Sequence, residues 1–300
     1  MLETFKIELS KFIKKHEINL IEIFTNSWDQ IKTDHEIPQL KYFLLNENGG
    51  IHYINEKISQ LQDESISIKF NAVYSHGSPK VTFDFNETPA SRELADLLVI
   101  LRINEHNPTC SNTLYSRSFL SQWKLNQEDN KNIEQEFLYD SAPSFNMPIW
   151  ITGRTEAERK RNFENRLDSL NFFYLNNRTF IKRPAGAVNI EFPKLLIDLL
   201  NLDYGLEFNK SIWIDELEKP SSWDKLMNDL INKVGRERKI KGYEQAKLIE
   251  YKISNAPYIY HINNEEVVED LYPENRFQSM LIIDINFNRL LKIKQYLAYS

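Results

Sequence analysis

The residues of this chain best placed to do chemistry are charged and amide side chains that interrupt otherwise apolar runs. Asp96 stands at the entrance of Leu97-Leu98-Val99-Ile100-Leu101, and Gln122 and Lys124 fall within the run from Phe119 to Leu125. On a strand, residues i and i+2 project from one face, so Gln122 and Lys124 share a face while Ser121 and Trp123 share the other. If the two strands pair, Asp96, Gln122 and Lys124 meet at one end of the shared face. A carboxylate, an amide oxygen and an ammonium gathered there suit a hard divalent cation, Mg²⁺ or Mn²⁺, which takes oxygen ligands and keeps waters for a substrate phosphate to displace. Asp96 is the expected principal ligand. The Gln122 side-chain oxygen, the Trp123 backbone carbonyl and Glu93, three residues before Asp96, are the further expected donors. Lys124 is expected to hold or polarise the attacking water and to offset the negative charge that develops at phosphorus. The alternative is a structural ion pair between Asp96 and Lys124, because such residues are rarely buried in apolar strands unless paired. Glu93 has its own alternative, as a carboxylate in the first turn of a short helix or capping that helix with Ser91.

Other chemistries find no support. The single cysteine, Cys110, excludes an intramolecular disulfide framework and thiolate zinc clusters, and the six histidines (16, 35, 52, 76, 106 and 261) form no HxxxH or HxH pair. The glycine-rich nucleotide-binding loops GxxxxGK[ST] and GxGxxG are absent, as are GxSxG and HExxH. The 300 residues carry 37 basic against 43 acidic side chains, a net charge of -6, with 41% hydrophobic positions. That balance describes a globular chain of one large domain or two small ones. No apolar stretch approaches the roughly 18 residues that cross a bilayer. The first fifteen residues mix Lys and Glu with apolar positions and do not resemble a secretory signal, so a cytoplasmic protein with no membrane partner is expected.

The elements that must position these residues follow from hydrophobic period. A helical lead-in is expected over 1–65, where Leu2, Phe5, Ile7, Leu9, Phe12 and Ile13, then Ile18, Leu20, Ile21, Ile23, Phe24, Trp28 and Ile31, fall near a 3.6 period. From Ile66 the period becomes two, and Ile66 to Ala72 with Val81 to Phe85 reads as a β-hairpin about a turn at His76 to Pro79. Leu97 to Leu101 reads as a strand buried on both faces. It is followed by a polar loop from Asn104 to Ser118, holding His106 and Cys110, and then by the Phe119 to Leu125 strand. Downstream, helices are expected at 132–139, 156–170, 195–200, 223–234 and 287–296, and strands at 172–175, 180–182, 258–262 and 280–285. The expected fold is α/β, a central mixed β-sheet flanked by helices. Its parts are a helical N-terminal segment (1–65), a core (66–215) and a C-terminal α/β extension packed on that core (216–300).

Glu93-Leu-Ala-Asp96-Leu-Leu-Val-Ile followed by Phe119-Leu-Ser-Gln122-Trp-Lys124 resembles the core of the PD-(D/E)XK, or restriction-endonuclease-like, nuclease superfamily, in its Q-x-K form. The resemblance covers roughly 66–140. It implies a strand-borne Asp and a (D/E/Q)-x-K on the neighbouring strand that bind a divalent cation and cleave phosphodiester bonds. Three departures stand out: Ala95 where the family often has Pro, Gln122 where it commonly has an acid, and the step of 26 positions from Asp96 to Gln122, which requires the 104–118 loop to leave the sheet. Gln135-Glu-Phe-Leu-Tyr139 with Pro143-x-Phe145 also resembles bacterial members found among genome-defence genes. The resemblance thus implies an endonuclease with nucleic acid, in particular DNA, as partner, acting in bacterial defence, alone, as a homo-oligomer or with a partner protein. A catalytically silent subunit that binds nucleic acid or protein is the competing expectation.

Two basic segments are the expected phosphate contacts. Arg154 to Arg183 carries eight basic residues (154, 159, 160, 161, 166, 178, 182, 183) against four acidic, and Lys233 to Lys247 carries six against two. His76 and His106 are lesser candidates for substrate contact, and a charge run is otherwise a solvated helix face.

Overall fold

The computed structural model describes residues 2–29, 31, 36–62, 65–74, 79–107, 110–125, 133–152, 155–184, 189–208, 220–233, 260–261 and 279–288. Three helices lead: α1 (Leu2–Asn26), α2 (Glu36–Leu45) and α3 (Gly50–Ser59). Along α1 the buried positions Phe5, Leu9, Phe12, Ile13, Leu20, Ile23 and Phe24 form one stripe, as the 3.6 period requires. Gly50 is obligatory where α3 begins. Its φ is +53°, and a Cβ there would lie 1.9 Å from the Phe43 carbonyl oxygen.

Five strands follow: β1 (Ile66–Tyr74), β2 (Lys80–Phe85), β3 (Thr88–Glu93), β4 (Leu97–Asn107) and β5 (Cys110–Lys124). After them come α4 (Ile133–Asp140), β6 (Phe145–Asn146), the single turns α5 (Ile149–Thr152) and α6 (Glu156–Arg159), β7 (Lys160–Arg161), α7 (Arg166–Ser169), β8 (Leu170–Tyr174) and β9 (Thr179–Lys182). The described residues end with β10 (Asn189–Glu191), α8 (Phe192–Leu200), β11 (Leu206–Glu207), α9 (Ser222–Asn228) continued by a π-helical turn over 229–233, β12 (Tyr260–His261) and β13 (Met280–Asn288).

Among the described residues, the strands build an α/β fold around a mixed nine-stranded sheet in the order β10-β9-β8-β5-β4-β13-β1-β12, with β11 also on β5. A second sheet of four strands runs β3-β2-β6-β7. One face of the large sheet, with Leu97, Val99, Leu101, Phe119 and Trp123, is covered by α1, α2, α3 and α8. The other face, with Leu98, Ile100, Leu120 and Phe172, packs against the small sheet, α4 and α9. Both faces of β4 are therefore buried, as its unbroken apolar run predicts. The stretch 216–300, expected as an extension packed on the core, supplies β13 to the interior of this sheet, parallel to β4 and antiparallel to β1.

Four expectations are corrected. β1 and β2 lie in different sheets, so the hairpin is β2–β3, turned by Asn86 and Glu87 at φ 49° and 66°. Those values are the left-handed conformation that a tight two-residue hairpin needs. The 104–118 stretch is no loop: β4 runs on to Asn107 and β5 begins at Cys110, so both His106 and Cys110 are strand residues. The 156–170 helix is two single turns separated by β7, with Asn165 at φ 38° before the second. Phe287 belongs to β13, which runs to Asn288, rather than opening a helix, and 289–300 lie outside the described residues. So do His76 and the basic segment beyond Lys233.

Candidate functional site

The long β4–β5 hairpin fixes the site. Its antiparallel register sets Leu97 against Ser121, so one step further out Asp96 faces Gln122. The Asp96 N–H donates to the Ser121 carbonyl at 3.1 Å. In return β5 grips the carboxylate: the Trp123 N–H donates to Asp96 Oδ2 at 2.7 Å, and Gln122 Nε2 donates to the same oxygen. Gln122 is only 4% exposed, and its Oε1 is buried without a hydrogen-bond partner. Lys124 lies two residues on along the same face, half-buried, with Tyr174 of β8 as its neighbour in register. By the strand repeat, that is about 6.6 Å beyond Gln122 and past the first residue of β4. On a strand the N–H and C=O of one residue point the same way, so the Trp123 carbonyl opens toward Asp96 as its N–H does.

Glu93 is the last residue of β3, opposite Lys80. It sits in the small sheet, three residues from Asp96, and the alternative of a helical first turn does not apply.

Tyr139 of α4 roofs the pair. Its ring lies 5.3 Å from Phe172, the β8 neighbour of Gln122, and its hydroxyl donates to the Leu94 carbonyl at 2.8 Å. Burial, reinforced by the Asp96 carboxylate, holds that hydroxyl well above its ordinary pKa, so Tyr139 stays a neutral donor. Behind the site, on the opposite face, Ser121 Oγ donates to Asn171 at 2.6 Å and Asn171 donates to Tyr204 at 3.0 Å, which fixes β5 against β8.

No protein-family model matches this chain, and no curated protein or solved structure matches it. Among the described residues, no three His, Cys, Asp or Glu side chains gather as a metal-binding group. A set of one carboxylate, one amide oxygen and one main-chain carbonyl needs no such trio, and these are the oxygen donors that a hard cation accepts. The unpartnered Gln122 Oε1 is a donor such an ion could use, although the amide here turns its Nε2 and not its Oε1 to Asp96.

Three arginines of the basic run from Arg154 to Arg183 are spent inside the fold, while Lys160 stays exposed. Arg161 binds Asp229 at 2.5 Å, with both side chains at most 5% exposed. Arg183 pairs with Asp140 and stacks over Phe172, and Arg166 donates to the carbonyls of Leu138, Tyr139 and Ala142. These three arginines hold α4, β7 and α9 in place and do not present themselves to phosphate.

A second polar cluster escaped the sequence reading. Asp284 of β13 accepts two bonds from Arg102 at 2.7 Å each, one from Asn104 at 3.0 Å and one from Asn71 at 2.9 Å. It ties β1, β13 and β4 together. The only local signal was an arginine inside an apolar strand, and its partner lies 182 residues away. Among the described residues, no helix is long and apolar enough to cross a membrane.

Proposed function

We propose that this chain is a metal-dependent nuclease with a restriction-endonuclease-like core, hydrolysing phosphodiester bonds of nucleic acid, DNA in particular, in bacterial defence. The observation that carries the reading is the meeting of Asp96, the residue before β4, with Gln122 of β5, with Lys124 next along the same face. Asp96, the Gln122 side-chain oxygen and the Trp123 carbonyl would hold Mg²⁺ or Mn²⁺, with Glu93 as a second carboxylate. When bound, the ion supplies charge to a phosphate oxygen and lowers the pKa of a coordinated water. Lys124, beyond Gln122 and nearer solvent, holds the attacking water and offsets charge growing on the phosphorus oxygens. Tyr139 and Phe172 keep bulk water from the Gln122 side, and the Trp123 N–H fixes the rotamer of Asp96.

One observation favours a second reading, a silent nuclease-like fold that binds nucleic acid or a partner protein. Asp96 Oδ2 is already engaged by two N–H donors of its own chain, which is the environment of a strand-end clamp. The two are separated by incubating the purified chain, with Asp96→Asn and Lys124→Met alongside, with plasmid, linear and single-stranded DNA and with RNA, in Mg²⁺, Mn²⁺ or EDTA. The nuclease reading expects cutting that needs metal and both residues. Cutting that persists in EDTA or in Asp96→Asn refutes it. Binding of nucleic acid without cutting, alike in all three proteins, supports the clamp.

A further inference from the structure

We infer that the Gln122 carboxamide is a two-position latch on Asp96, which a divalent cation releases. The inference rests on the reading of Asp96 and Gln122 as oxygen donors of a metal centre, and adds how that centre is controlled.

Gln122 is 4% exposed, yet only half of its amide is satisfied: Nε2 donates to Asp96 Oδ2 and Oε1 has no partner. Buried amide oxygens are seldom left this way, so the orphan calls for an explanation. The two donors on Asp96 Oδ2 differ in kind. The Trp123 N–H belongs to the strand and cannot turn away without breaking the ladder, whereas the terminal torsion of Gln122 is broad and two-fold. A half-turn exchanges the oxygen and nitrogen ends and leaves the backbone where it is.

Turned, Oε1 would face a carboxylate oxygen. Two oxygens in that position repel, so the latched orientation prevails until a cation lies between them, and a hard cation accepts both. Only a ligand that distinguishes the two orientations can move their balance, and charge distinguishes them completely. A glutamate could not act as the latch, because its two oxygens are equivalent and neither donates while ionised. Gln122 therefore offers the site something that the commoner acid cannot. Without metal, the carboxylate is quieted by N–H donors and the ends of β4 and β5 are joined. With metal, the same side chain becomes a ligand. The latch sets a threshold, since the apparent affinity is reduced by the fraction of chains held in the latched state.

The test reads the side chain itself. Chain labelled with ¹⁵N-glutamine is titrated with Mg²⁺, and separately with Ca²⁺ as a cation of the same donor preference; the Gln122 side-chain signal is assigned by its loss in Gln122→Leu. Hydrogen exchange of that NH₂ is followed beside the melting temperature of wild type, Asp96→Asn and Gln122→Glu. The expected result is a protected NH₂ in EDTA whose exchange quickens at least tenfold as metal saturates. The melting temperature should rise over the same titration, the rise should be absent in Asp96→Asn, and Gln122→Glu should reach half-saturation at tenfold less metal or lower. If metal raises the melting temperature through Asp96 while the NH₂ stays protected, the latch is refuted and the metal centre stands. If neither wild type nor Gln122→Glu responds to either cation, the metal centre falls, and the latch with it.

Discussion

The grip of β5 on Asp96 makes the stability of this chain sensitive to the carboxylate in a calculable way. Asp96→Ala removes the acceptor of the Trp123 N–H and of Gln122 Nε2, leaving both donors at positions only 2% and 4% exposed. A hydrogen bond to a charged group contributes about 1.5–3 kcal/mol net. Asp96 is itself half-buried, so water recovers part of the loss, and the two bonds together come to about 2–4 kcal/mol. Asp96→Asn keeps an oxygen for both donors and loses only the charge, which limits its loss to about 1 kcal/mol. Urea denaturation of the three proteins in EDTA, compared at equal slope, measures the difference. The expected order is wild type, then Asn, then Ala, with the Ala variant clearly separated. An Ala variant as stable as wild type would mean that the bonds from β5 to Asp96 contribute nothing; Asn and Ala variants equally destabilised would mean that a neutral oxygen does not hold the two donors, and either result refutes the account given.

Three further outcomes follow from the packing. Tyr139 is raised well above its ordinary value of 10.0 by burial and by Asp96, and Tyr115 is pushed up to about 12 by burial. The folded chain therefore keeps protons that the unfolded chain releases, and stability that is intact below about pH 10 falls as the pH rises beyond it. Tyr139→Phe should flatten that fall in denaturation curves taken from pH 8 to 11.5, and should cost about 1 kcal/mol at neutral pH because the Leu94 carbonyl loses its donor. Arg183→Met strands Asp140 in a largely buried setting and should cost about 3 kcal/mol in a urea titration, without altering the salt dependence of any nucleic-acid binding. Gly50→Ala forces a Cβ against the Phe43 carbonyl and should lose more than about 1 kcal/mol by the same measurement.

Much of the site was legible because it depends on local alternation. The apolar run at 97–101 and the Gln122, Lys124 spacing are enough to place the three side chains on one face once the strands pair, and pairing in register brought Asp96 to Gln122. What could not be read locally was set by distant partners. The 104–118 stretch looks like a loop because Asn104, Glu105, Asn112, Thr113, Ser116 and Ser118 are polar. It is strand because Asn104 meets Asp284 and Thr113, and Ser118 meets Trp223 and Met227. The expected helix over 156–170 fails for the same reason: Arg161 and Arg166 are claimed by Asp229 and by the carbonyls that end α4. The hairpin turn, Asn86-Glu87, lacks the glycine that usually marks a left-handed pair, and nothing local distinguishes it from the turn expected at His76 to Pro79.

The place of β13 has a consequence for how the chain is made. It enters the sheet between β1 and β4, and each of its residues is 182 positions beyond its partner on β4, the nearer of the two in sequence. Until a ribosome has delivered residues 280–288, β1 and β4 have nothing between them, and each exposes an unsatisfied row of N–H and C=O groups that other chains could pair with. Assembly of the sheet is thus a late event that joins sequence-distant strands, which favours slow folding. A product ending before residue 279 would carry Asp96, Gln122 and Lys124 intact and still lack the strand that joins β1 to the hairpin bearing them.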